Sequence, residues 1–327
     1  MDTQNTNLYS KFYLIINEII KFKQSANLLI ALSGGQDSIC LLYLIQNLKT
    51  TYKYSINIEY IYVDHQWRQD SKKHIKHLIN LIRTTKNQIS VYEIYKVTQS
   101  ELEARLWRYK ILINHALQYN FNVIITGHTK TDRLETFIQN LIKGTTIDGA
   151  TSLNIYRKLS NHIILLRPLM EFHRDELTWI CRKNYLPIWL DYTNHNYNTK
   201  RNRIRDELIP YLHQYFNKNI SNNITSFLNI TSIDNEYIKQ NTIKLYLLSI
   251  HPINIALNYQ IIQKQHIAIQ YRAIQMFFYY HFKVLLNITI LQQIIYIFSQ
   301  KPHKIIKIQW HNLLINIYRN WLYININ

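Results

Sequence analysis

Cysteine is scarce in this 327-residue chain, with only Cys40 and Cys181. A cysteine-rich zinc site is thereby excluded, a disulfide framework is not expected, and a reducing compartment fits. No uninterrupted apolar run reaches the ~18 residues that a membrane span requires. The start, MDTQNTNLYS, lacks the basic-then-apolar plan of a signal peptide. The expectation is a soluble, cytoplasmic chain with no membrane partner. Acidic residues are also few, 20 against 38 Lys and Arg, giving a formal net charge of +18. Such an excess favours a polyanionic partner, since phosphate neutralisation releases counterions. The plainer reading is a solvated basic surface, or drift in base composition, because Ile, Asn, Lys and Tyr crowd the sequence.

Glycine is rarer than usual. The chain has five, Gly34, Gly35, Gly127, Gly144 and Gly149, all in the first half and next to expected strand ends or turns. A sequence that otherwise does without glycine keeps it where backbone bends sharply or approaches a ligand.

Residues 8–22 read as an amphipathic helix, after which strands and helices alternate. Strands are expected at 26–32, 55–65, 88–97 and 121–128, and helices at 37–49, 70–86, 100–119 and 131–143. Ser100 is placed as an N-cap, with Glu103 completing a capping box. A further strand end and helix are read within 167–189. This spacing predicts an α/β fold with a doubly wound parallel sheet. Ligands in such sheets lie outside the carboxyl ends of the strands. Ser33–Ser38, Asp64-His65 and Gly127-His128 all fall there. From Phe216 onward there are 10 Lys/Arg and only Asp234 and Glu236 as acids. That half reads as a second, mostly helical smaller domain, with short strands near 304–326. The expected division is 1–213, the α/β domain with the ligand site at its strand ends, and 214–327, a basic domain whose charge suits a polyanion and whose Trp310, Trp321 and many tyrosines suit stacking.

The stretch LLIALSGGQDSICLLYL, 28–44, sets Ser33-Gly34-Gly35-Gln36-Asp37-Ser38 between strand and helix. It is no Walker loop, because the lysine after the last glycine is missing, and it fails the dinucleotide Gly-x-Gly-x-x-Gly pattern. Two glycines let backbone N–H groups approach an anion, Ser33 and Ser38 offer hydroxyls, and the helix N-terminus adds its dipole. Asp37 would repel phosphate unless Mg²⁺ stands between them.

This motif resembles the PP-loop ATP pyrophosphatases, which cleave ATP to AMP and pyrophosphate and adenylate an oxygen of the substrate. The loop alone does not choose the acceptor. With no cysteine near its start and no spare domain, the chain is not expected to be a glutamine amidotransferase. Cys40, on the apolar face of the following helix, reads as core, which disfavours sulfur transfer.

Other segments resemble the tRNA(Ile)-lysidine synthetase family. VDHQWRQDS (63–71) is similar to its D-H-x-L-R-x-x-S, with Trp67 for the usual Leu. EARLWRYKIL (103–112) is similar to A-R-x-x-R-Y-x-x-L. TGHTKTDRLETFIQNLIKGTTIDGATSL (126–153) resembles H-x-x-D-D-x-x-E-T and the turn after it. RPLMEFHRDEL and DYTNHNYNTKRNRIRDELIPYL resemble R-P-L and the family's Asn/Arg-rich junction; QYRAIQMFFYY is a weaker echo. The matches run in order over 28–212. The usual double Asp is Thr131-Asp132 here, Arg133 replaces a common Gln, and Lys143-Gly144-Thr145-Thr146 stands for Arg-Gly-Ser-Gly. The wording Gly-His-Thr-x-x-Asp-Arg-x-Glu-Thr is closest to the cyanobacterial and plastid branch, so a plastid stroma location is expected if the chain is organelle-encoded.

The resemblance implies ATP as co-substrate, Mg²⁺, free lysine, and an isoleucine tRNA with a CAU anticodon. Ser33, Gly34, Gly35, Gln36 and Ser38 would hold the leaving pyrophosphate, with Asp37 on Mg²⁺. Val63 and His65 would border the adenosine, joined by Gly127 and His128; His128 can contact nucleotide or merely cap its loop. Asp132 and Glu135, i and i+3 on one helix, could attract lysine's amines or assist deprotonation, or be ordinary helix carboxylates. Arg105 and Arg108 could face phosphate or activated cytidine, or solvent. Arg201, Arg203 and Arg205 could hold tRNA backbone; Arg205 could instead pair with acidic neighbours. Two alternatives stay open, another PP-loop tRNA modifier such as a thiolase, and a non-catalytic basic tRNA-binding protein. Monomer or homodimer is equally open.

Overall fold

The computed structural model describes residues 2–22, 27–52, 56–67, 70–95, 97–98, 100–189, 199–300 and 304–326. Arg68 and Gln69 of the second motif and 190–198 of the junction motif lie outside the described residues. The chain divides into two compact units, residues 1–228 and 229–327, so the division falls later than the expected 213/214.

The first unit is built on a six-stranded sheet. Helix α1 (Asp2–Phe22) precedes strand β1 (Asn27–Leu32), and α2 (Gln36–Tyr52) leads to β2 (Asn57–Asp64). Then come α3 (Ser71–Arg83), β3 (Gln88–Glu93), α4 (Glu101–Gln118), β4 (Val123–Thr126) and α5 (Lys130–Ile142). A short α6 (Ile147–Ala150), β5 (Tyr156–Lys158), β6 (Ile164–Leu166) and α7 (Arg174–Lys183) follow. The strand order is β3-β2-β1-β4-β6-β5. All neighbours are parallel except β5 against β6.

The sequence explains the layers. NLLIAL has no polar side chain after Asn27, which suits a strand covered on both faces. Leu29 packs with Leu112, Phe121 and Ile124 on one face, and Ile30 with Leu41, Ile45 and Phe172 on the other. Helix α3 turns His74, Leu78 and Ile82 inward at i, i+4, i+8. Ser100 caps α4 as expected, accepting from the Glu103 N–H at 3.2 Å. The antiparallel edge strand β5 is absent from the sequence reading; at three residues, it and β6 are too short to show a period.

The order of the strands decides where the site lies. After β1 the chain winds outward through β2 to β3, then returns to place β4 on the other side of β1. The reversal leaves a crevice beyond the carboxyl ends of β1 and β4, where the Ser33–Ser38 and Gly127-His128 loops emerge.

Residues 200–215 are helical in three parts: α8 (Lys200–Arg203), a π-helical turn over Ile204–Leu208, and α9 (Ile209–Tyr215). The wider turn has a local cause. Pro210 has no N–H to give to the carbonyl one α-turn back, and the Ile209 N–H reaches back to Ile204 O instead. The thirty-residue α10 (Ile220–Ser249) spans the division between units.

The second unit is a helical region with a small antiparallel sheet. It holds β7 (Ala256–Asn258), α11 (Tyr259–Ile262), α12 (Ile267–Phe282), α13 (Ile288–Gln300), β8 (Ile306–Trp310), β9 (Leu313–Tyr318) and β10 (Trp321–Ile326). Sheet order is β7-β10-β9-β8. Leu257, Phe277, Phe278, Ile294, Ile315, Ile317 and Leu322 form its core, and Tyr259 stacks on Phe298 with ring centres 4.8 Å apart. The short strands expected near 304–326 are therefore a complete three-strand meander.

Candidate active site

The loop after β1 turns through Gly34 at φ +77°. Space as well as conformation demands glycine there, because a Cβ would lie 1.8 Å from the buried His74 Nε2. Ser38, at the start of α2, donates its hydroxyl to Gly35 O at 2.9 Å and lies 3.3 Å from Ser33 Oγ. At the end of β4, Gly127 packs against this turn, with room for a Cβ only at 3.4 Å from the Ser38 backbone. The two loops thus meet, and the backbone of Gly34 to Ser38 forms an anion cradle at a helix N-terminus. Gln36 contributes to it by backbone alone, since its side-chain amide donates to Thr178 Oγ1 at 2.6 Å on α7.

Asp37 stands at the mouth of the cradle. Its Oδ1 is buried without a hydrogen-bond partner, and the nearest cation is Arg174 Nε at 3.9 Å. Burial pushes its carboxyl up to about 6; Arg174 opposes this, and Asp132 and Glu135 across the crevice add to it.

Helix α5 carries those two carboxylates. Thr129 caps it reciprocally with Asp132, whose Oδ2 accepts from the Thr129 N–H at 2.7 Å and hydroxyl at 2.9 Å. Asp132 Oδ1 accepts from Arg201 Nη2 at 2.6 Å. Glu135, one per cent exposed, accepts from Arg201 Nε at 2.7 Å and from both Nε and Nη2 of Arg205. Burial works against the charge on Asp132, but Arg201, His128 and Thr129 together hold its carboxyl below the usual range. Arg201 also reaches Glu101 at 3.2 Å.

A cavity of about 90 Å³ opens beside the cradle, between the ends of β1 and β2. Ser33, Val63, His65 and Arg108 line it, with Ile61 and Leu112 behind. Arg108 donates to His65 Nε2 through Nε at 3.2 Å. Burial, then Arg108, pushes His65 down to about 4, so its ring is neutral near pH 7. His128 is pushed down to about 3, by burial against the pull of Asp132, with Arg167, Arg201 and Arg105 adding to the fall. Its Nδ1 lies 2.9 Å from Thr126 Oγ1.

An aliphatic and backbone-walled slot, a turn of backbone N–H groups at a helix N-terminus and a carboxylate oxygen without a hydrogen bond meet in one crevice. Residues 5–212 match the PP-loop domain family. The chain is 47% identical over 319 residues to the chloroplastic tRNA(Ile)-lysidine synthase of Gracilaria tenuistipitata var. liui, covering 98% of this chain and 99% of that one. It is 35% identical to the chloroplastic tRNA(Ile)-lysidine synthase of Pyropia yezoensis, covering 98% and 96%. The chain belongs to the tRNA(Ile)-lysidine synthase family. Among solved structures, the U34-tRNA thiolase NcsA of Methanococcus maripaludis matches with a TM-score of 0.57 over 68% of this chain and 78% of that one. At 15% identity this likeness concerns the fold alone.

Membership makes the chain an ATP-using enzyme of ligase type, and the family reading stands over the thiolase and the non-catalytic alternatives. Among the described residues, no helix is long and apolar enough to cross a membrane.

The predicted residues of a lysidine synthase fall into separate groups here. Ser33, Gly34, Gly35, Asp37 and Ser38 share the cradle, and Val63, His65 and Arg108 share the cavity. Arg105 is exposed, with its guanidinium 5.8 Å from the Tyr109 ring centre. The three arginines assigned one role separate. Arg201 and Arg205, i and i+4, grip the α5 carboxylates, whereas Arg203 is exposed and pairs with Glu207 at 3.0 Å. Two further residues were not singled out from sequence. Arg174 faces Asp37, and the fully buried Arg167 donates to Asn154 O at 2.6 Å and to the Tyr109 hydroxyl at 3.1 Å. Arg167 had a signal, the R-P-L match; Arg174 had none apart from its place in RPLMEFHRDEL.

Proposed function

We propose that the chain makes lysidine in an isoleucine tRNA with a CAU anticodon. The observation that carries the reading is Asp37 at the cradle, its buried Oδ1 without a hydrogen bond, facing two arginine-held carboxylates across one crevice. The C2 oxygen of the wobble cytidine attacks the α-phosphorus of ATP, and the bond to the β-phosphate oxygen breaks, releasing pyrophosphate. The lysine ε-amine then attacks C2, loses its proton, and the C2–O bond breaks to release AMP. The codon read changes from AUG to AUA.

The cradle N–H groups and the Ser33 and Ser38 hydroxyls hold the departing pyrophosphate where charge accumulates. The slot lined by Val63 and His65 takes the adenosine. A neutral His65 and a neutral His128 accept hydrogen bonds there without adding repulsion toward the lysine ammonium. Asp132 and Glu135, at the end of the crevice, attract that ammonium and receive its proton. Attack needs the free amine, so a base at this place is required.

Asp37 fits a divalent cation, since its buried Oδ1 has no hydrogen-bond partner and Arg174 stands back at 3.9 Å. Mg²⁺ is an ion that binds through one or two carboxylates plus phosphates. When bound at Asp37, Mg²⁺ supplies neutralising charge to the pyrophosphate.

The basic second unit, 229–327, is assigned to the body of the tRNA, and its chloroplastic relatives support a plastid location. The test is incorporation of labelled lysine into acid-insoluble tRNA, given ATP and a CAU-anticodon isoleucine transcript. Incorporation of sulfur in place of lysine, or of nothing at any magnesium concentration, sinks the reading.

A further inference from the structure

We propose that the cleft running along α5 beyond Glu135 is a pocket for one unpaired nucleotide of the RNA substrate, adjoining the reacting one. The inference rests on the lysidine reading above and adds a place for a second base.

The cleft encloses about 490 Å³, within the range that takes small organic groups. Gln139, Ile142 and Lys143 of α5 form one wall. They continue the stripe of Asp132 and Glu135 at i+3 and i+4 steps. Ile142 lies about 10 Å along the helix from Glu135, so the cleft begins where the crevice ends.

The opposite wall comes from the helical run 200–211. Lys200, Arg203, Leu208 and Tyr211 recur at spacings near one turn and share a stripe beside that of Arg201 and Arg205. One stripe therefore holds the carboxylates, and the next is free to face a ligand. The π-helical turn at 204–208 keeps both stripes in place through Pro210, and such turns concentrate at functional sites.

The chemistry selects a nucleotide. Ile142, Leu208 and the Tyr211 ring give apolar faces, and Tyr211 is 53% exposed although it touches Tyr215, at 4.8 Å, and Phe216, at 5.9 Å, in tilted ring contacts. Lys143, Lys200 and Arg203 stand at the rim against the single acid Glu207, which Arg203 already neutralises. An aromatic platform beside an excess of cations is how proteins hold a single-stranded base and its phosphate. The same rim would repel free lysine, whose net charge is positive.

The test uses the full chain and anticodon stem-loop RNAs carrying 2-aminopurine at each position flanking the CAU cytidine. One flanking position is expected to be quenched on binding the unaltered protein and to stay bright with Tyr211→Ala. Tyr211→Ala is also expected to raise the KM for tRNA about tenfold, with kcat within about twofold and the KM for ATP and lysine unmoved. Tyr211→Phe keeps both readouts, because the ring and not the hydroxyl makes the platform. The unmoved kcat and unmoved KM for ATP and lysine separate loss of the platform from a damaged fold, and Lys200→Glu also raises the KM for tRNA. Lysine incorporation with unchanged tRNA KM and quenching in all variants overturns the pocket and leaves the lysidine reading standing. Absence of lysine incorporation by the unaltered protein overturns both.

Discussion

Glu135, almost fully buried on α5, accepts two hydrogen bonds from the Arg205 guanidinium, seventy residues away in sequence. The pair closes the crevice against α8 and the π-helical turn, and Arg201 bridges the same carboxylate to Asp132. Removing one partner of a buried pair strands the other charge, at a cost of about 3–5 kcal/mol. Glu135→Ala is therefore expected to lower the stability of the chain by about 3 kcal/mol, because Arg205 loses its main partner while Arg201 keeps Asp132. A double-mutant cycle between Glu135→Ala and Arg205→Ala, followed by urea unfolding, checks this; additive costs would show that the pair is not coupled.

Asp37 is expected to trade stability for chemistry. Its carboxyl is raised to about 6 by burial, so the folded chain binds this proton more tightly than the unfolded chain. Stability from this group is highest below about pH 4 and falls as pH rises to about 6. Asp37→Asn removes the buried charge and should stabilise the ligand-free protein by about 1–2 kcal/mol at pH 8, with no gain at pH 4. The same change should abolish AMP release. Thermal unfolding at the two pH values, beside an AMP assay, tests both halves.

His65 and His128 carry the opposite sign. Both are lowered, to about 4 and about 3, chiefly by burial. Between pH 6.5 and 4 the unfolded chain takes up these protons and the folded chain does not, so their contribution to stability is lost as pH falls through that window. Imidazole resonances of the two rings should show no titration between pH 5 and 8 in NMR; a midpoint near 6.5 for either would refute the placement.

Arg174 is expected to set the acid limit of the reaction. It is the nearest cation to Asp37 Oδ1 and holds that carboxyl down against burial. Arg174→Ala should move the acid limb of the AMP-release profile to higher pH, and Arg174→Lys should move it less. An unmoved limb would mean that Asp37 does not set it.

Gly34 is held by two separate constraints. Its φ of +77° costs a side-chain-bearing residue about 1–2 kcal/mol, and a Cβ would overlap the His74 ring. Gly34→Ala should therefore lose ATP binding and stability together. Gly34→Ala combined with His74→Ala should recover the steric part of the ATP affinity and leave the conformational part, measured by calorimetric titration of ATP.

Much of the geometry proposed to hold the nucleotide was legible in the residues. Gly34, Gly35, Asp37 and Ser38 lie within five positions, and their geometry is a local matter of a turn between a strand and a helix. Val63 and His65 follow from the rule that ligands lie beyond strand ends. The acceptor half was less legible. Arg201, Arg203 and Arg205 look equivalent on paper, but a helix separates them into two faces, and one face meets α5. Arg174 is a plain surface arginine in the sequence until α7 packs beside α2 through Thr178 and Gln36.

Apolar spacing and the glycine turns thus determined the parallel sheet and the cradle, because these depend on neighbours within a few residues, and the motifs in order over 28–212 carried the resemblance to the family. The tertiary structure alone decided which cation faces which carboxylate, and where the crevice continues. Those contacts join positions dozens of residues apart, and burial, which sets the charge state of Asp37, His65 and His128, exists only once the layers are packed.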